Sequence, residues 1–290
     1  MSLKIAIQGI ESSFHDMAVK KLFPNKDVAL VMCNSFEKVT ESINDFSADY
    51  GVLALENTTV GSILPNYNLI DSNDLEIIDE VFLNIQMYIM ALDSETIHDI
   101  GELHSHPVAL LQCKNYLRKF PPHVKIIEGK DTASEAKRIK ENNLRGIAAI
   151  AGKQVAEKYG LKILESRIQN NKENQTRFVL IGKKVSIPSH QVDKATLKFK
   201  LDHRVGSLSN VLQLFSTFDI SLTKIQSLPI IGEPWQYSFF VDVVFKDYAL
   251  FQEVTKVLKK AVLELKVIGV YKQNMENTPS QIINNLVNEK

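Results

Sequence analysis

The sequence predicts a protein of the α/β class with two domains, and three observations support this prediction. Its 290 residues exceed the roughly 100–200 residues of a typical single domain. From residue 3 to about 183, short apolar runs alternate with amphipathic helical patterns, which favours a mostly parallel sheet covered on both faces. Beyond residue 193 the rhythm of the elements changes. We therefore expect an α/β domain over residues 1–185, a smaller domain over 194–273 and a tail over 274–290.

In the first domain, apolar runs predict strands and a 3.6-residue period predicts helices. The strands fall at residues 4–8, 51–55, 77–92 (long enough for two), 125–128, 146–151 and 177–182. The helices fall at residues 14–22, 35–46, 63–71, 108–120, 133–141 and 154–159. Ser186, Pro188 and Ser189 lie in a stretch with little periodicity, so residues 183–193 are predicted to form a linker.

The second domain has a different order of elements. Strands are predicted at residues 195–201, 221–228, 237–245 and 265–271, and helices at 207–218 and 251–263. This βαββαβ order is the ferredoxin-like arrangement. The tail is polar, with a short helix predicted from Ser280.

Charge and cysteine content exclude several classes of function. Lys+Arg and Asp+Glu number 34 each, so no net field attracts nucleic acid or an acidic membrane. Cys33 and Cys113 match no metal spacing and are expected to be buried thiols in a reducing compartment. The chain shows neither a signal peptide nor the ~18 consecutive apolar residues of a membrane span. We expect a soluble, cytoplasmic protein.

Polar residues stand where several predicted strands pass into helices. Ser12 and Ser13 follow the first strand, Asn57 and Thr58 follow the second, and similar junctions occur at 105–107 and 131–133. Ligands of open α/β sheets bind beyond the carboxyl ends of strands, and helix starts favour anions. Several such junctions around one cleft would suit a small molecule with more than one carboxylate. Taken singly, each junction is equally an ordinary N-cap, and Thr132 with Glu135 fits a capping box.

Other constellations are weaker. Gly9 lacks the further glycines of a dinucleotide-binding fingerprint. Glu102, His104 and His106 alternate as one face of a strand would, which is compatible with a metal site or with structural roles. Arg177, at the start of an apolar strand, is either a solvated strand end or a carboxylate clamp.

Four segments of the first domain stand out together: ENTTVG at 56–61, SHPVALLQC at 105–113, residues 148–161 and NQTRF at 174–178. In this order they resemble the prephenate dehydratase family. Residues 174–178 (NQTRF) are similar to its N-x-T-R-F signature, and residues 56–61 (ENTTVG) to its E-N-S-x-x-G segment. Residues 105–113 (SHPVALLQC) resemble S-H-P-Q-A-L-x-Q-C, and 148–161 also follow the family pattern. The resemblance covers about residues 4–183. It implies two α/β lobes with a site between them, similar to periplasmic binding proteins.

The resemblance also implies a reaction and its residues. Prephenate would lose carbon dioxide and water to give phenylpyruvate, with no metal or organic cofactor required. Thr176 would donate a hydrogen bond to the leaving hydroxyl, and Arg177 would hold a carboxylate. The implied catalytic set is Thr176, Asn57, Ser105, Gln112 and Glu56. The implied substrate-binding set is Ser13, Thr58, Thr132, Ala133, Asn174, Arg177 and Phe178.

The chain departs from the family at two junctions. The usual G-P-x-G-T/S-F reads GIESSF at residues 9–14, without the proline and the second glycine. The usual S-T-A reads DTA at residues 131–133, which puts a carboxylate where a hydroxyl is common. Asp131 either caps its helix or faces the cleft, where it would repel an anion.

The second domain resembles the ACT domain attached to these dehydratases, which pairs across subunits and commonly binds phenylalanine. The resemblance implies a homodimer or homotetramer under feedback control. The implied regulatory residues are Gly206, Ser207, Leu208, Gln226, Ser227, Leu228 and Pro229. The usual P-G-A-L and E-S-R-P read VGSL and QSLP here, so the effector response is open.

Two alternative functions remain at this stage. The first is arogenate dehydratase, which performs the same elimination on the amino analogue of prephenate. The second is a non-catalytic amino-acid sensor that uses the cleft only to bind. The retained Thr176-Arg177-Phe178 run argues against the sensor.

Overall fold

The structure is a computed structural model that describes residues 2–184, 187–230 and 232–274. The helix predicted from Ser280, and all of the predicted tail except Asn274, lie outside the described residues, as do two residues of the predicted linker, 185 and 186.

Helices and strands alternate through most of the chain. The strands are β1 (Leu3–Gln8), β2 (Val28–Cys33), β3 (Tyr50–Asn57), β4 (Gly61–Ser62), β5 (Glu76–Asn84), β6 (Tyr88–Ala91), β7 (Glu102–Ser105), β8 (Lys125–Glu128), β9 (Ile147–Ala151), β10 (Lys162–Glu165), β11 (Gln175–Gly182), β12 (Lys194–Lys200), β13 (Ser221–Pro229), β14 (Tyr237–Val244) and β15 (Glu264–Tyr271). The helices are α1 (Phe14–Leu22), α2 (Phe36–Asn44), α3 (Leu64–Ser72), α4 (Pro107–Gln112), α5 (Lys114–Leu117), α6 (Thr132–Glu141), α7 (Lys153–Tyr159), α8 (Ser207–Thr217) and α9 (Tyr248–Ala261).

The chain forms two compact units, which we call the N-terminal and C-terminal units. The N-terminal unit comprises residues 2–66 and 81–178, and the C-terminal unit comprises 67–80 and the chain from 179 onward. β5 and β11 contribute residues to both units. This grouping cuts the chain differently from the predicted boundaries at 185 and 194, which remain predictions.

Two sheets lie in the N-terminal unit. In the first, β1 pairs in parallel with β2 and β3, and β11 follows β3. In the second, the order is β10-β6-β9-β7-β8, with β7 parallel to β8 and β9, and with β6 antiparallel to β9 and β10. The second sheet is therefore mixed, where the alternation of elements predicts parallel pairing.

The C-terminal unit contains the βαββαβ element order that the sequence predicts, formed by β12, α8, β13, β14, α9 and β15. Its strands pair antiparallel in the order β13-β14-β12-β15. β15 also pairs with β5 of the same unit at Gly269 and Ile77. A Cβ atom at Gly269 would stand 2.3 Å from the carbonyl oxygen of Ile77, so this pairing requires glycine. The predicted α/β class is confirmed, with two sheets in the N-terminal unit and a ferredoxin-like arrangement in the C-terminal unit.

Some individual elements differ from prediction. The run at 77–92, predicted to be long enough for two strands, does form the two strands β5 and β6. By contrast, the predicted helix at 108–120 is the two short helices α4 and α5, which meet at Cys113. β2, β4, β7 and β10 were not predicted as strands. β4 has two residues, and β7 and β10 have four each, which is too few for a clear strand pattern. β2 (VALVMC) is an apolar run of six residues that the prediction overlooked. In the described part of the chain, the helices are too short or too polar to cross a membrane.

Candidate active site

A cavity of about 400 Å³ lies within the N-terminal unit. The volume falls in the range of about 300–1,000 Å³ that is usual for small-molecule pockets. The cavity is lined by the starts of α1, α4 and α6 and by the carboxyl end of β3, with β11 alongside. The predicted junctions after strands therefore do converge. The predicted site residues that line it are Ser13, Asn57, Gln112, Thr132, Thr176 and Phe178.

Three amide side chains form a buried hydrogen-bonded cluster at one wall. The Oδ1 atom of Asn57 accepts from the backbone amides of Thr59 and Val60 at 2.8 and 3.0 Å, which fixes the orientation of its amide. Its Nδ2 atom donates to Oδ1 of Asn174 at 2.7 Å. Asn174 in turn donates to Oε1 of Gln112 at 2.9 Å. Residues from three distant segments thus hold one another in single rotamers.

Thr176 is the group that this cluster orients. Nδ2 of Asn57 donates to Oγ1 of Thr176 at 2.8 Å, and Thr176 lines the cavity with 7% of its surface exposed. Because the hydroxyl oxygen accepts from the amide, its own hydrogen is available to a bound ligand. A hydroxyl held in this way can stabilise negative charge that develops on a leaving oxygen.

The start of α1 forms a second wall. Gly9 has a φ of +95° in the turn after β1, a conformation that glycine adopts without strain. Ser13 caps the helix and accepts from the amide of Asp16 at 3.3 Å. The carboxylate of Asp16 binds the amide of Ser12 at 2.6 Å and pairs with Lys20. The amides of Phe14 and His15 belong to the first turn, so they have no acceptor within the helix.

No sequence pattern selects His15, yet this residue lines the same cavity. It is buried and contacts Phe178 edge-on, with ring centroids 5.1 Å apart. Its Nε2 atom is buried and has no hydrogen-bond partner. Burial, with the nearby His106, lowers the pKa of His15 to about 4, so the ring is neutral at pH 7. A neutral ring with a free nitrogen can give or accept one hydrogen bond with a ligand.

Asp131 caps α6 and also lines the cavity. Its carboxylate accepts from the amide of Ser134 at 2.7 Å and from the Ser134 hydroxyl. The two orientations considered from the sequence are therefore not exclusive. His106, the cap of α4, lies nearby at the cavity wall, and burial lowers its pKa despite the carboxylates of Asp131 and Glu128.

Six predicted site residues do not line this cavity, and one of them, Asn174, belongs to the amide cluster described above. Ser105 is buried and its hydroxyl donates to the carbonyl of Ile150 at 2.6 Å, which ties β7 to β9. Ala133 packs in the apolar cluster beneath α6. Thr58 donates to the carbonyl of Glu173 at 3.0 Å. Each of these three contacts is structural.

Glu56 and Arg177, the other two, form an ion pair. Nη1 of Arg177 lies 2.6 Å from Oε1 of Glu56, and the arginine side chain is 4% exposed. Successive residues of a strand face opposite sides, so Thr176 and Phe178 face the cavity while Arg177 faces away. This position does not support the carboxylate-clamp role predicted for Arg177.

Glu102, His104 and His106, considered above as metal ligands, do not converge on one point. Nε2 of His104 lies 3.1 Å from Glu102, and its Nδ1 lies 3.0 Å from Arg138. His106 instead caps α4. Within residues 2–184, 187–230 and 232–274, no cluster of three or more His, Cys, Asp or Glu side chains is arranged for a metal.

The predicted regulatory residues lie in the C-terminal unit. Gly206, Ser207 and Leu208 line a cavity of about 420 Å³ at the start of α8, together with Arg204 and Tyr237. Gln226, Ser227, Leu228 and Pro229 lie on β13 and do not line it, and Leu228 is buried. Of the two predicted segments, only the first lines this cavity.

Comparison with known proteins identifies relatives over most of the chain. The family described as prephenate dehydratase matches residues 5–186. The "Arogenate dehydratase/prephenate dehydratase 2, chloroplastic" of Arabidopsis thaliana is 32% identical, over 93% of this chain and 72% of that protein. The "Bifunctional chorismate mutase/prephenate dehydratase" of Aquifex aeolicus is 31% identical, over 93% and 73%. The structure of the Arthrobacter aurescens prephenate dehydratase in complex with L-Phe has a TM-score of 0.83 at 20% identity, covering 99% of this chain and 97% of that one, which shows the shared fold.

The fold and the cavity, with these relatives, define an enzyme of the α/β class that acts on a small molecule. The chain belongs to the prephenate dehydratase family. Its function accordingly lies among the prephenate and arogenate dehydratases.

Proposed function

We propose that this enzyme catalyses the decarboxylating dehydration of prephenate or of its amino analogue, arogenate, with Thr176 assisting departure of the hydroxyl. The observation that carries the proposal is the hydrogen bond from Asn57 to Oγ1 of Thr176, which leaves the threonine hydrogen free to point into the cavity. Relatives at 31–32% identity include enzymes named for each substrate.

The chemistry matches these groups. The bond from the ring to its carboxylate breaks, and the electron pair enters the ring, which becomes aromatic as hydroxide departs. A proton from solvent converts the hydroxide to water, so the reaction needs one proton and releases carbon dioxide. An aliphatic hydroxyl is a poor proton donor, and Thr176 therefore stabilises the developing charge rather than transferring its proton fully.

The remaining residues position the substrate. The first-turn amides of α1 and α6, beside Ser13 and Thr132, supply donors for carboxylates. Phe178 gives an apolar wall for the ring. Asn57, Gln112 and Asn174 act through Thr176 as positioning residues. Five further residues lie outside the cavity lining and stabilise the strands and helices that form it: Glu56, Thr58, Ser105, Ala133 and Arg177.

Substitution of the threonine tests this role. Thr176→Val removes the hydroxyl at nearly constant shape, and we expect kcat to fall about 100-fold or more, because one well-placed donor to a developing anion is worth that much. Thr176→Ser keeps the hydroxyl and should retain most of the activity. Initial rates are measured on prephenate by phenylpyruvate absorbance and on arogenate by chromatography of phenylalanine.

Thr217→Val is the matched control, since this exposed hydroxyl on α8 donates to the carbonyl of Gln213 and lies outside the cavity lining. It should leave kcat unchanged. A Thr176→Val variant that is folded and fully active on either substrate would contradict the assignment of Thr176. Absence of turnover by the folded wild-type enzyme on both substrates would contradict the proposed function.

For the remainder of the molecule we propose a catalytic domain at 1–185 and an ACT domain at 194–273, with phenylalanine as effector and a homodimer or homotetramer as the assembly. The L-Phe complex of the Arthrobacter aurescens protein supports the effector. Cys33 and Cys113 are both buried and unpaired, which supports a reducing compartment such as the cytoplasm.

A further inference from the structure

The two candidate substrates differ at one group, and the charges at the cavity wall bear on the choice. Both carry two carboxylates. Prephenate has a ketone beside one of them and a net charge of −2, whereas arogenate has an ammonium group there and a net charge of −1. A wall that presents negative charge favours arogenate, and one that presents positive charge favours prephenate.

The described residues that line the cavity include no lysine and no arginine. Arg177, the cation nearest in sequence to Thr176, lies on the opposite face of β11 and pairs with Glu56. The two histidines at the wall, His15 and His106, both have lowered pKa values and so add little positive charge. A dianion would therefore find no full positive charge on this wall.

The carboxylate of Asp131 stands at the same wall with 8% of the residue exposed. Ser134 donates one hydrogen bond to each of its oxygens, so each oxygen keeps a lone pair for a further donor. A Cβ atom placed on Gly9 would stand 3.9 Å from Cγ of Asp131. The carboxylate therefore faces the turn that leads into α1.

The turn that leads into α1 offers hydrogen-bond donors for the carboxylate of an amino acid. The first-turn amides of Phe14 and His15 have no acceptor within α1, and helix starts favour a carboxylate. Independently, the buried Nε2 atom of His15 lacks a partner and belongs to the cavity lining. Donors for a carboxylate thus lie beside an acceptor for an ammonium group, which is the pairing that recognises an α-amino acid.

We propose that the cavity selects arogenate over prephenate, with Asp131 binding the ammonium group of the amino-acid side chain. This inference rests on the proposed function and deepens it. Asp131 thereby has two tasks, since it caps α6 and determines specificity.

The test compares kcat/KM for arogenate and prephenate on the same preparations of full-length protein. Wild type should favour arogenate. Asp131→Asn removes the charge and keeps the capping oxygen, and it should lower the arogenate-to-prephenate ratio about 10- to 100-fold, the value of one charged hydrogen bond. Asp131→Ser also caps the helix without charge and should shift the ratio in the same direction.

Asp247→Asn is the matched control, because Asp247 caps α9 by accepting from the amide of Ala249 at 2.8 Å and does not line the cavity. Its ratio should equal that of wild type. A wild-type preference for prephenate, or an unchanged ratio in both Asp131 variants, would overturn the inference while leaving the dehydratase function intact. If neither substrate is converted, the proposed function itself fails, and the inference fails with it.

Discussion

The buried imidazole of His15 makes the stability of the protein depend on pH. Its pKa is lowered from 6.5 to about 4, chiefly by burial, because a charged ring would be removed from water without a partner. In the unfolded chain the ring takes up a proton near pH 6.5, whereas in the folded protein it resists doing so until about pH 4. The unfolded state therefore binds more protons between these values, and stability falls as the pH falls through this window.

We expect the free energy of unfolding of wild type, relative to His15→Gln, to decrease by about 2 kcal/mol between pH 7 and pH 5. Urea denaturation at the two pH values measures this difference. His123→Gln, at an exposed histidine, is the control and should show no such dependence relative to wild type. Parallel pH profiles for wild type and His15→Gln would show that His15 is not the group responsible.

Single residues also show where sequence reasoning succeeds. Asn57, Gln112 and Thr176 were found from their motifs, although their hydrogen bonds join segments more than 50 residues apart, which spacing alone could not reveal. His15 follows an N-cap serine and carries no further signal. Its environment comes from Phe36 and Phe178, which only the tertiary fold brings together.

At the level of the strand, the alternation of β11 separates two functions. Thr176 and Phe178 face the cavity, and Arg177 between them pairs with Glu56 of β3 on the other face. The period of two was available from the sequence and would have placed Arg177 opposite Thr176. The motif contains both, so residues of one sequence signature lie on opposite faces of the same strand.

Glu56→Gln tests the structural role of this ion pair. The guanidinium is almost fully buried, so loss of its charged partner should destabilise the protein by about 1–3 kcal/mol, a range reduced because Glu56 is 32% exposed. KM should stay within about twofold of the wild-type value, because Glu56 does not contact the substrate and its loss should change substrate binding little. Urea denaturation and steady-state kinetics supply the two readouts.

The exposed pair of Glu141 with Lys137 provides the control, and Glu141→Gln should cost less than about 0.5 kcal/mol. The opposite result for Glu56→Gln, a large rise in KM with unchanged stability, would return Arg177 to the role of a carboxylate clamp.

The order of the elements was predicted more accurately than the individual strands and their pairing. The βαββαβ order was found because short strand-like runs and two helical patterns follow one another clearly in the sequence of the second domain. β7 was missed because it has only four residues, and its Glu102-Leu103-His104 run fitted a site hypothesis as well as a strand. The mixed pairing of the second sheet depends on long-range contacts that no local pattern encodes.

Across the whole molecule, the C-terminal unit depends on residues from the first half of the chain. Lys194 forms a buried ion pair with Glu80 at 2.8 Å, and Lys198 pairs with Asp71 at 2.7 Å. Both acidic residues belong to the 67–80 segment of that unit. A fragment that begins after residue 185 would contain the buried Lys194 without Glu80. Regulation should therefore be studied on the whole chain.

The proposed assembly can be tested at β13, the last strand of its sheet. Within the described residues one edge of β13 has no partner strand, and Ile225 on it is 42% exposed. An open edge with exposed apolar residues favours pairing with a second copy. We expect wild type to sediment as a dimer or tetramer, and Ile225→Lys to sediment as a smaller species, because charge opposes edge pairing.

Phenylalanine binding gives the assembly a second, independent readout. If the effector site forms between paired ACT domains, calorimetry should detect phenylalanine binding to wild type and a loss of affinity of about tenfold or more in Ile225→Lys, since the site would have to be completed by a dimer that no longer forms. Leu250→Lys, at a residue of α9 with 39% exposure, is the matched control and should retain both mass and binding. A wild-type protein that is monomeric at all concentrations would contradict the assembly. If Ile225→Lys has the same sedimenting mass as wild type, the interface does not lie at β13.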